Sequence, residues 1–534
     1  MSSPQPLVFS PSGSWDGNNG NWSTVVVRIG TPEQDFRVLP APITGEILVP
    51  DSEACQMSKG DLPNCGALRG VVNASHSAGF LFNASETWDP LGKFMTNIHC
   101  ELGYASGATF GTDNVGLMVQ NSGGPTLQDQ VVGLLGKSPF FTGFFGLSPK
   151  AANFTNYNDP HPSYITTLKN TRRIPSLSYG YTAGAFYTPG HAFASLTLGG
   201  YDESRFEPNL NITFPFHGDD ERPTSIYLQQ IMAENTPNGT VSILRDKIFV
   251  NLDFTLPFLW LPTDACDRIA SLFKLRYDTV HNLYLAEDNV NAELMEKNAQ
   301  FTFDLGDSVH PAERVSIVIP YSAFNHGLSW PIYNSTTKYF PMRRTNGTHY
   351  TLGRAFMQEA YIIVDYERDS FSVHQASQSI SQEQKLVAIS AKDQQEIAQS
   401  QRERKTLSSA SIGGITTACI LGTAAFLALV ILLFRRRSRS HGTSRMSIDG
   451  TYTQNEHEGH GGLDRQLMST EVVEIQGPVA QMLQARHNAE LQETARELPG
   501  SGITLNHCGT VFKNEETDGR FELSADREPR GGGR

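Results

Sequence analysis

Short runs of apolar residues, closed by glycine, proline, asparagine or aspartate, recur over residues 1–376. Examples are WSTVVVRIG (22–30), ASLTLGG (194–200), AYIIVDY (360–366) and FSVHQA (371–376). Alternating or unbroken apolar runs of this length, bounded by turn-forming residues, are typical of β-strands. The pattern therefore predicts an all-β fold for this part of the chain.

One stretch has helical spacing instead. DACDRIASLFKLR (264–276) repeats its apolar residues every three or four positions, which predicts an α-helix. Thr263 or Asp264 is the expected N-cap, because their side-chain oxygens can accept from the first free backbone N–H groups.

A longer apolar pattern occupies residues 412–434, IGGITTACILGTAAFLALVILLF, and contains no charged residue. About 20 apolar residues are enough to cross a bilayer, so a buried core helix is a poor alternative. Arg435, Arg436 and Arg437 follow at once. Positive charge on this side predicts a single transmembrane helix with a cytoplasmic C-terminus.

Eight N-x-S/T sequons precede this segment and none follows it. Their one-sidedness predicts a glycosylated N-terminal part, extracellular or luminal, on a cell-membrane or secretory-pathway protein. The acceptor residues are Asn21, Asn73, Asn83, Asn153, Asn211, Asn238, Asn334 and Asn346. No signal peptide is visible. Either the sequence begins after one, which we favour, or the apolar segment itself directs insertion.

Composition separates the remaining regions. Residues 377–411 are rich in Gln, Ser and charge, and we interpret them as a stalk. Residues 435–534 are polar and poor in aromatics, which predicts a disordered tail. Within this tail, residues 479–498 either form one amphipathic helix or have helix-forming composition without forming a helix. The net charge of −13 and the lack of a basic patch argue against nucleic acid as a partner.

Five motifs then follow in order: IGTPEQDF (29–36), FTGFFGLSPK (141–150), ASLTLGGYDESRF (194–206), FVNLDFTLPFLWLP (249–262) and YTLGRAFMQEAYIIVDYERDSFSV (350–373). Together they resemble the pepsin-like aspartic peptidases, and more closely a membrane-tethered group common in fungi. The resemblance covers roughly residues 15–376. It implies a bilobal fold, with an N-terminal β lobe at 1–190 and a C-terminal β lobe at 191–376 facing each other across a cleft.

Active members carry an Asp-Thr/Ser-Gly motif in each of two loops, and this chain departs from both. Without a gap, the first aspartate position falls on Ala41, followed by Pro42 and Ile43. A gapped alignment, with residues 43–45 on the motif, supplies no carboxylate either. In the second loop Asp253 keeps its position, and residues 254–255 are Phe-Thr. The flanking acids at 35 and 51 are expected to lie outside the cleft.

These departures matter because the family's chemistry needs two carboxyl groups. Two carboxylates about 3 Å apart share one proton, so that one activates water while the other protonates the peptide carbonyl. Ala41 removes one of these groups. Asp253 therefore remains either as a catalytic remnant without its partner or as a residue that holds its loop by hydrogen bonds.

Further site residues follow from the resemblance. Cys55 and Cys65 come soon after the first loop, as a small disulfide does in many relatives, and are expected to be bonded. The pairing of Cys100 and Cys266 is not readable from the sequence, and Cys419 and Cys508 are expected to be reduced. Tyr104 lies near the expected flap, either as the flap tyrosine or as an ordinary strand residue. The histidines are scattered, and by default we interpret them as surface residues.

Two hypotheses on function result. The first is a single-pass membrane glycoprotein whose pepsin-like domain is non-catalytic and serves as a peptide-binding or cell-surface module. The alternative is an acid aspartic endopeptidase that uses Asp253 and an unrecognised partner. An extended peptide or protein in the interlobe cleft is the expected ligand. No cofactor or metal site is indicated, and partners of the tail are not readable.

Overall fold

The computed structural model describes residues 3–393 apart from 57–60, 76, 97, 137, 155–158, 210–211, 308–313, 346–348 and 380–381, together with residues 429, 431 and 432. The predicted membrane segment 412–434, except for those last three residues, lies outside this part, as do the predicted tail and its possible helix at 479–498. Among the described residues, no helix has the length and apolar character needed to span a bilayer.

Strands are the main regular structure in the described residues of the first half of the domain. They are β1 (Leu7–Val8), β2 (Pro11–Asp16), β3 (Trp22–Ile29), β4 (Gln34–Ala41), β5 (Ile47–Pro50), β6 (Asp89–Met95), β7 (Gly107–Leu117), β8 (Thr126–Leu135), β9 (Gly143–Gly146), β10 (Ser178–Ala185), β11 (Ala192–Leu198), β12 (Gly200–Asp202) and β13 (Phe214–Pro215).

The second half also contains mainly strands. The sequence predicts an all-β fold, and the described residues show a mostly-β fold with a few short helices. The strands of the second half are β14 (Ser225–Thr236), β15 (Gly239–Ser242), β16 (Ile248–Leu252), β17 (Leu259–Pro262), β18 (Arg276–Asp278), β19 (Leu283–Leu285), β20 (Gln300–Gly306), β21 (Arg314–Pro320), β22 (His326–Leu328), β23 (Thr337–Phe340), β24 (Met342–Thr345), β25 (Tyr350–Leu352), β26 (Ala360–Asp365), β27 (Ser370–Gln375) and β28 (Leu386–Ala388).

Helices are few and short in the described residues. The α-helices are α1 (Cys65–Leu68), α2 (Tyr164–Asn170), α3 (Thr263–Leu272) and α4 (Asp288–Glu296), and the 3₁₀ turns are Phe82–Ala84, Cys100–Leu102, Glu203–Arg205, Tyr321–Phe324 and Phe356–Gln358.

The helix expected at 264–276 is present as α3, but its ends differ from the prediction. It begins at Thr263 after Pro262, with no capping bond from a side chain. It ends at Leu272, because Lys274 takes a left-handed backbone conformation with φ of 53°. That turn lets the N–H of Leu275 donate to the carbonyl of Ala270, which closes the helix.

Three sheets carry the fold. The N-terminal sheet has the strand order β2-β3-β4-β9-β5-β8-β7-β6, and the C-terminal sheet has the order β21-β20-β14-β16-β25-β17-β24, with β15 paired to β14. A third sheet, the shared sheet, has the order β1-β11-β10-β26-β27-β13 and takes strands from both ends of the domain. The two halves are therefore joined by backbone hydrogen bonds through the shared sheet.

The N-terminal and C-terminal sheets repeat one arrangement. The order β3-β4-β9-β5-β8 in one corresponds to β14-β16-β25-β17-β24 in the other. The strand directions also correspond, since β4–β9 and β16–β25 are parallel, while β5–β9 and β17–β25 are antiparallel. Residues at matching positions in the two sheets are therefore structural counterparts.

Residues beyond the expected end of the domain also belong to it. In the predicted stalk, Leu386–Ala388 form β28 and pair with β12. The backbone N–H of Lys385 donates to the buried carboxylate of Asp202 over 2.9 Å. This part of the chain is thus packed on the domain by strand pairing.

Candidate active-site cleft

The two loops that resemble active-site loops start from matching places. Ala41, the last residue of β4, lies opposite Gly146 of β9. Asp253 directly follows the last pair of β16 and β25, in which Leu252 lies opposite Leu352. The same number of residues separates Ala41 and Asp253 from the prolines that end β5 and β17. Ala41 is therefore the structural counterpart of Asp253.

A glycine behind each loop supports the same correspondence. A Cβ on Gly146 would collide with the carbonyl oxygen of Thr44, and a Cβ on Gly353 would collide with that of Leu256. These carbonyls lie three residues past Ala41 and three residues past the aspartate. The close backbone approach explains why only glycine fits in both places.

Asp253 is almost completely buried, with 1% of its surface exposed. Its Oδ1 atom accepts a hydrogen bond of 2.9 Å from the backbone N–H of Thr255. Its Oδ2 atom lies 3.2 Å from Nε2 of His99. The contact with His99 is an ion pair that is not aligned as a hydrogen bond. Both carboxylate oxygens are thus already engaged.

His99 comes from the loop between β6 and β7, which we name the flap loop. Its backbone is left-handed, with φ of 50°, and its side chain is 4% exposed. The other ring nitrogen, Nδ1, lies 3.3 Å from Oε1 of Glu101, whose side chain is 39% exposed. The default interpretation of the histidines as surface residues is wrong here, because this ring is buried against Asp253.

The two partners hold each other in their charged forms. Burial alone would lower the pKa of His99, but the ion pair with Asp253 and the contact with Glu101 raise this pKa to about 9. Burial is the largest single effect on the pKa of Asp253 and raises it, but the charge of His99 and the hydrogen bond from the backbone of Thr255 together outweigh burial, so the pKa is lowered. The pair is therefore an imidazolium and a carboxylate at neutral pH.

A second buried cation lies beside the same loop. Nε of Arg354 donates to the carbonyl of Phe254 over 3.1 Å, and the guanidinium also donates to the carbonyl of Thr255. The guanidinium lies 5.1 Å from the ring of Trp22. Burial lowers the pKa of Arg354 to about 10, and the charge of Asp253 offsets part of this effect. The carboxylate of Asp253 therefore lies near two cationic side chains, His99 and Arg354.

The two residues after Asp253 are buried in the core, and in the described part of the chain neither offers a hydrogen-bonded hydroxyl group beside the aspartate. Phe254 is fully buried and stacks on Tyr181 of the shared sheet at 4.2 Å between ring centroids. The hydroxyl of Thr255 is buried and has no hydrogen-bond partner among the described residues. The loop is thus held by aromatic packing, by Arg354 and by the backbone bond from Thr255.

The first loop contains one carboxylate that the sequence interpretation passed over. Glu46 is nearer to Ala41 in the chain than the flanking acids Asp35 and Asp51. Its carboxylate accepts a hydrogen bond from the hydroxyl of Thr44, within the same loop. In the described part of the chain no contact joins Glu46 to Asp253.

Tyr104 belongs to the flap loop but does not contact Asp253. Its ring stacks on Phe140 with centroids 5.8 Å apart, and its backbone N–H donates to the carbonyl of His99 over 3.0 Å. Burial raises the pKa of Tyr104. The side chain of the flap loop that reaches the aspartate is the histidine, and Tyr104 anchors the loop to the N-terminal half.

The expected disulfide is confirmed. Cys55 and Cys65 are bonded, with their Cα atoms 5.9 Å apart. Cys266 is a free, buried thiol in α3, and its Sγ atom donates to the carbonyls of Leu261 and Arg343. Cys419 and Cys508 lie outside the described residues.

The sequon asparagines that the structure describes are all exposed at the surface. They are Asn21, Asn73, Asn83, Asn153, Asn238 and Asn334. Asn211 and Asn346 lie outside the described residues. Surface exposure is what a glycan acceptor requires, so glycosylation stays a prediction that this geometry permits.

Comparison with known proteins identifies a family and a distant relative. The family described as eukaryotic aspartyl protease matches residues 24–376. Barrierpepsin of Saccharomyces cerevisiae is 26% identical over 242 residues, which cover 43% of this chain and 38% of that protein. The chain thus spans well under half the length of this curated relative.

Proposed function

The chain belongs to the eukaryotic aspartyl protease family, and we propose that its domain binds extended peptide without hydrolysing it. The observation that carries the proposal is the buried ion pair of His99 and Asp253, together with Ala41 at the position that corresponds to Asp253 in the first loop. A working member needs two carboxyl groups at this place, and this pair offers one carboxylate and one imidazolium.

The chemistry of peptide hydrolysis explains why the pair is a poor substitute. One carboxylate must take a proton from water while a neutral carboxyl group donates a proton to the peptide carbonyl. Asp253 is held in its ionised form, and contacts with His99 and Thr255 occupy both of its oxygens. Asp253 is also 1% exposed, so neither water nor a peptide carbonyl has access to its carboxylate in this conformation.

We further propose that the protein is a single-pass membrane glycoprotein with this domain outside the cytosol. The uncharged segment 412–434, the arginines after it and the one-sided sequons support this topology. The disulfide between Cys55 and Cys65 supports an oxidising compartment. The cell surface or a secretory-pathway membrane is the proposed location.

The direct test uses the full chain, purified in detergent, with a denatured protein as substrate at about pH 3–5. We expect no cleavage above a mock preparation. The variant Asp253→Ala should behave like wild type. Asp51→Ala is the matched control, because Asp51 binds its own turn at Ser52 and Glu53. Cleavage that wild type and Asp51→Ala perform and Asp253→Ala does not would overturn the non-catalytic proposal.

A binding test examines the cleft without catalysis. A peptide mimic with a central hydroxyl gains affinity from a pair of carboxyl groups in a working member. Here it should bind no better than the same peptide without the hydroxyl. A 100-fold preference for the hydroxyl, about 2.7 kcal/mol, would reveal a second acid in the cleft.

A second candidate is an acid endopeptidase in which His99 is the partner of Asp253. The observation that favours it is the 3.2 Å approach of Nε2 to Oδ2, since an imidazolium can donate a proton where a neutral carboxyl group would. This candidate requires cleavage that both Asp253→Ala and His99→Gln abolish. Cleavage that survives His99→Gln, or no cleavage at all, would exclude it.

A further inference from the structure

A cavity of about 410 Å³ lies between the flap loop and the C-terminal half of the domain. Leu102 of the flap loop forms one wall, and Trp260, Tyr277, Arg343 and Arg344 form much of the other. An occupant would therefore touch the flap loop and the C-terminal sheet at the same time.

Arg343 has no anionic partner in the described part of the chain. Its guanidinium carbon lies 4.3 Å from the ring centroid of Phe258 and 5.6 Å from that of Trp260. Its Nε atom is buried and has no hydrogen-bond acceptor among the described residues. Aromatic faces hold the guanidinium in place while its donors stay unused.

Arg344, the next residue, provides an internal comparison. Its guanidinium forms an ion pair with Asp267 and donates to the hydroxyl of Tyr284. It also lies 4.0 Å from the ring centroid of Tyr277. The charge of Arg344 is therefore already balanced, and Arg343 carries the surplus positive charge at this cavity.

Trp260 adds a second unused donor. It is 7% exposed, and its Nε1 atom is buried without an acceptor among the described residues. Leaving a buried donor unpaired costs about 1–3 kcal/mol, so most buried polar groups have a partner. Arg343 and Trp260 lie side by side in the wall of the cavity, and each keeps one unpaired donor among the described residues.

We propose that this cavity binds the carboxylate of an aspartate or glutamate side chain in the bound peptide, with Arg343 as its principal contact. A planar guanidinium stacked on an aromatic ring keeps its edge available for a carboxylate. The inference rests on the proposed peptide-binding function, because the flap loop places the cavity beside the cleft.

The test uses the full chain labelled with 5-fluorotryptophan and observed by ¹⁹F NMR. The chain has five tryptophans, so five signals are expected, and Trp260→Phe identifies the one from Trp260. The probes are N-acetyl-aspartyl amide and its uncharged isostere N-acetyl-asparaginyl amide. The aspartyl probe should shift the Trp260 signal saturably and bind at least about tenfold more tightly than the isostere, since each factor of ten is about 1.4 kcal/mol.

Three variants locate the effect. Arg343→Gln should abolish the saturable shift, and Arg343→Lys should retain part of it because the charge remains without the planar fork. Arg245→Gln is the matched control, since Arg245 is 74% exposed and pairs with Asp264 outside the cavity. The other four tryptophan signals report whether each variant keeps the native fold.

The proposal is overturned if wild type gives no saturable shift at Trp260, if both probes shift the signal equally, or if Arg343→Gln binds as wild type does. These outcomes are separate from the cleavage assay. Proteolysis by wild type would overturn the non-catalytic function and leave the ¹⁹F result standing. A flat ¹⁹F titration beside normal binding of an uncharged peptide would overturn the cavity proposal alone.

Discussion

Replacing His99 with glutamine should remove a stabilisation that depends on pH. The ion pair raises the pKa of His99 from its ordinary value of 6.5 to about 9. Each tenfold change in proton affinity corresponds to about 1.4 kcal/mol. The charged pair therefore contributes about 3 kcal/mol to the free energy of unfolding, which is a large share of the usual stability of a domain.

The direction of the pH effect follows from the two shifts. Because the pKa of His99 is higher in the folded state, its contribution is complete below about pH 6.5 and is lost as the pH rises to about 9. The pKa of Asp253 is lowered in the folded state, so its contribution is present above the ordinary range of an aspartate and is lost as the pH falls. The pair is most stabilising in mildly acidic solution.

The assay is denaturant unfolding of the full chain, followed by tryptophan fluorescence, at about pH 6 and about pH 9. Between about pH 6 and about pH 9, the free energy of unfolding should fall by about 3 kcal/mol more in wild type than in His99→Gln. His281→Gln is the matched control, since His281 pairs with Asp278 over 2.9 Å but is 38% exposed. A surface pair of that kind contributes less than about 1 kcal/mol.

Equal losses in wild type and His99→Gln would refute the reasoning, since they would show that the ion pair of His99 does not link stability to pH. The reasoning would also be refuted if the free energy of unfolding fell equally between the two pH values in wild type and in the double variant His99→Gln with Asp253→Asn. If His281→Gln removed the pH dependence instead, the group responsible would lie at the surface.

Four further predictions concern the loops and the topology. Ala41→Asp should leave cleavage of denatured protein undetectable, because His99 still neutralises the carboxylate of Asp253; a peptide product on mass spectrometry would contradict this. Phe254→Ala should lower the free energy of unfolding by about 3–5 kcal/mol, measured by denaturant, because it empties a fully buried aromatic site. Cys65→Ser should lower it by about 2–3 kcal/mol by opening a short loop, and an unchanged unfolding midpoint would count against that estimate. In sealed microsomes, added protease should digest residues 435–534 and spare the N-terminal domain, and the reverse pattern would invert the topology.

The parts of the fold that depend on local sequence could be predicted. Apolar runs closed by turn residues indicated strands such as β3 and β26. The family resemblance, aligned at residues 29–32 and 49–50, placed the first aspartate position on Ala41 without a gap. The disulfide between Cys55 and Cys65 is also local, since only a short loop separates the two residues. These features require no knowledge of how distant segments meet.

The contact between His99 and Asp253 could not be read from any local pattern. It forms because the flap loop of one half closes over the other half, and because His99 takes a left-handed turn that few non-glycine residues adopt. One signal was available. A lone buried carboxylate needs a cation nearby, so the loss of the acid at Ala41 predicts a basic side chain close to Asp253.

The shared sheet also sets the order in which this protein can be completed during synthesis. β10 pairs with β26 from Ser178–Asp365 to Tyr181–Ile362, and β26 pairs in turn with β27. At 5–20 residues per second, the ribosome needs roughly 10–40 seconds to make the chain between these partners. During that interval one edge of β10 has no neighbour, and an open strand edge is a template for pairing with other chains. We therefore expect this protein to depend most on chaperones during synthesis, after its N-terminal half has been made and before β26 is available.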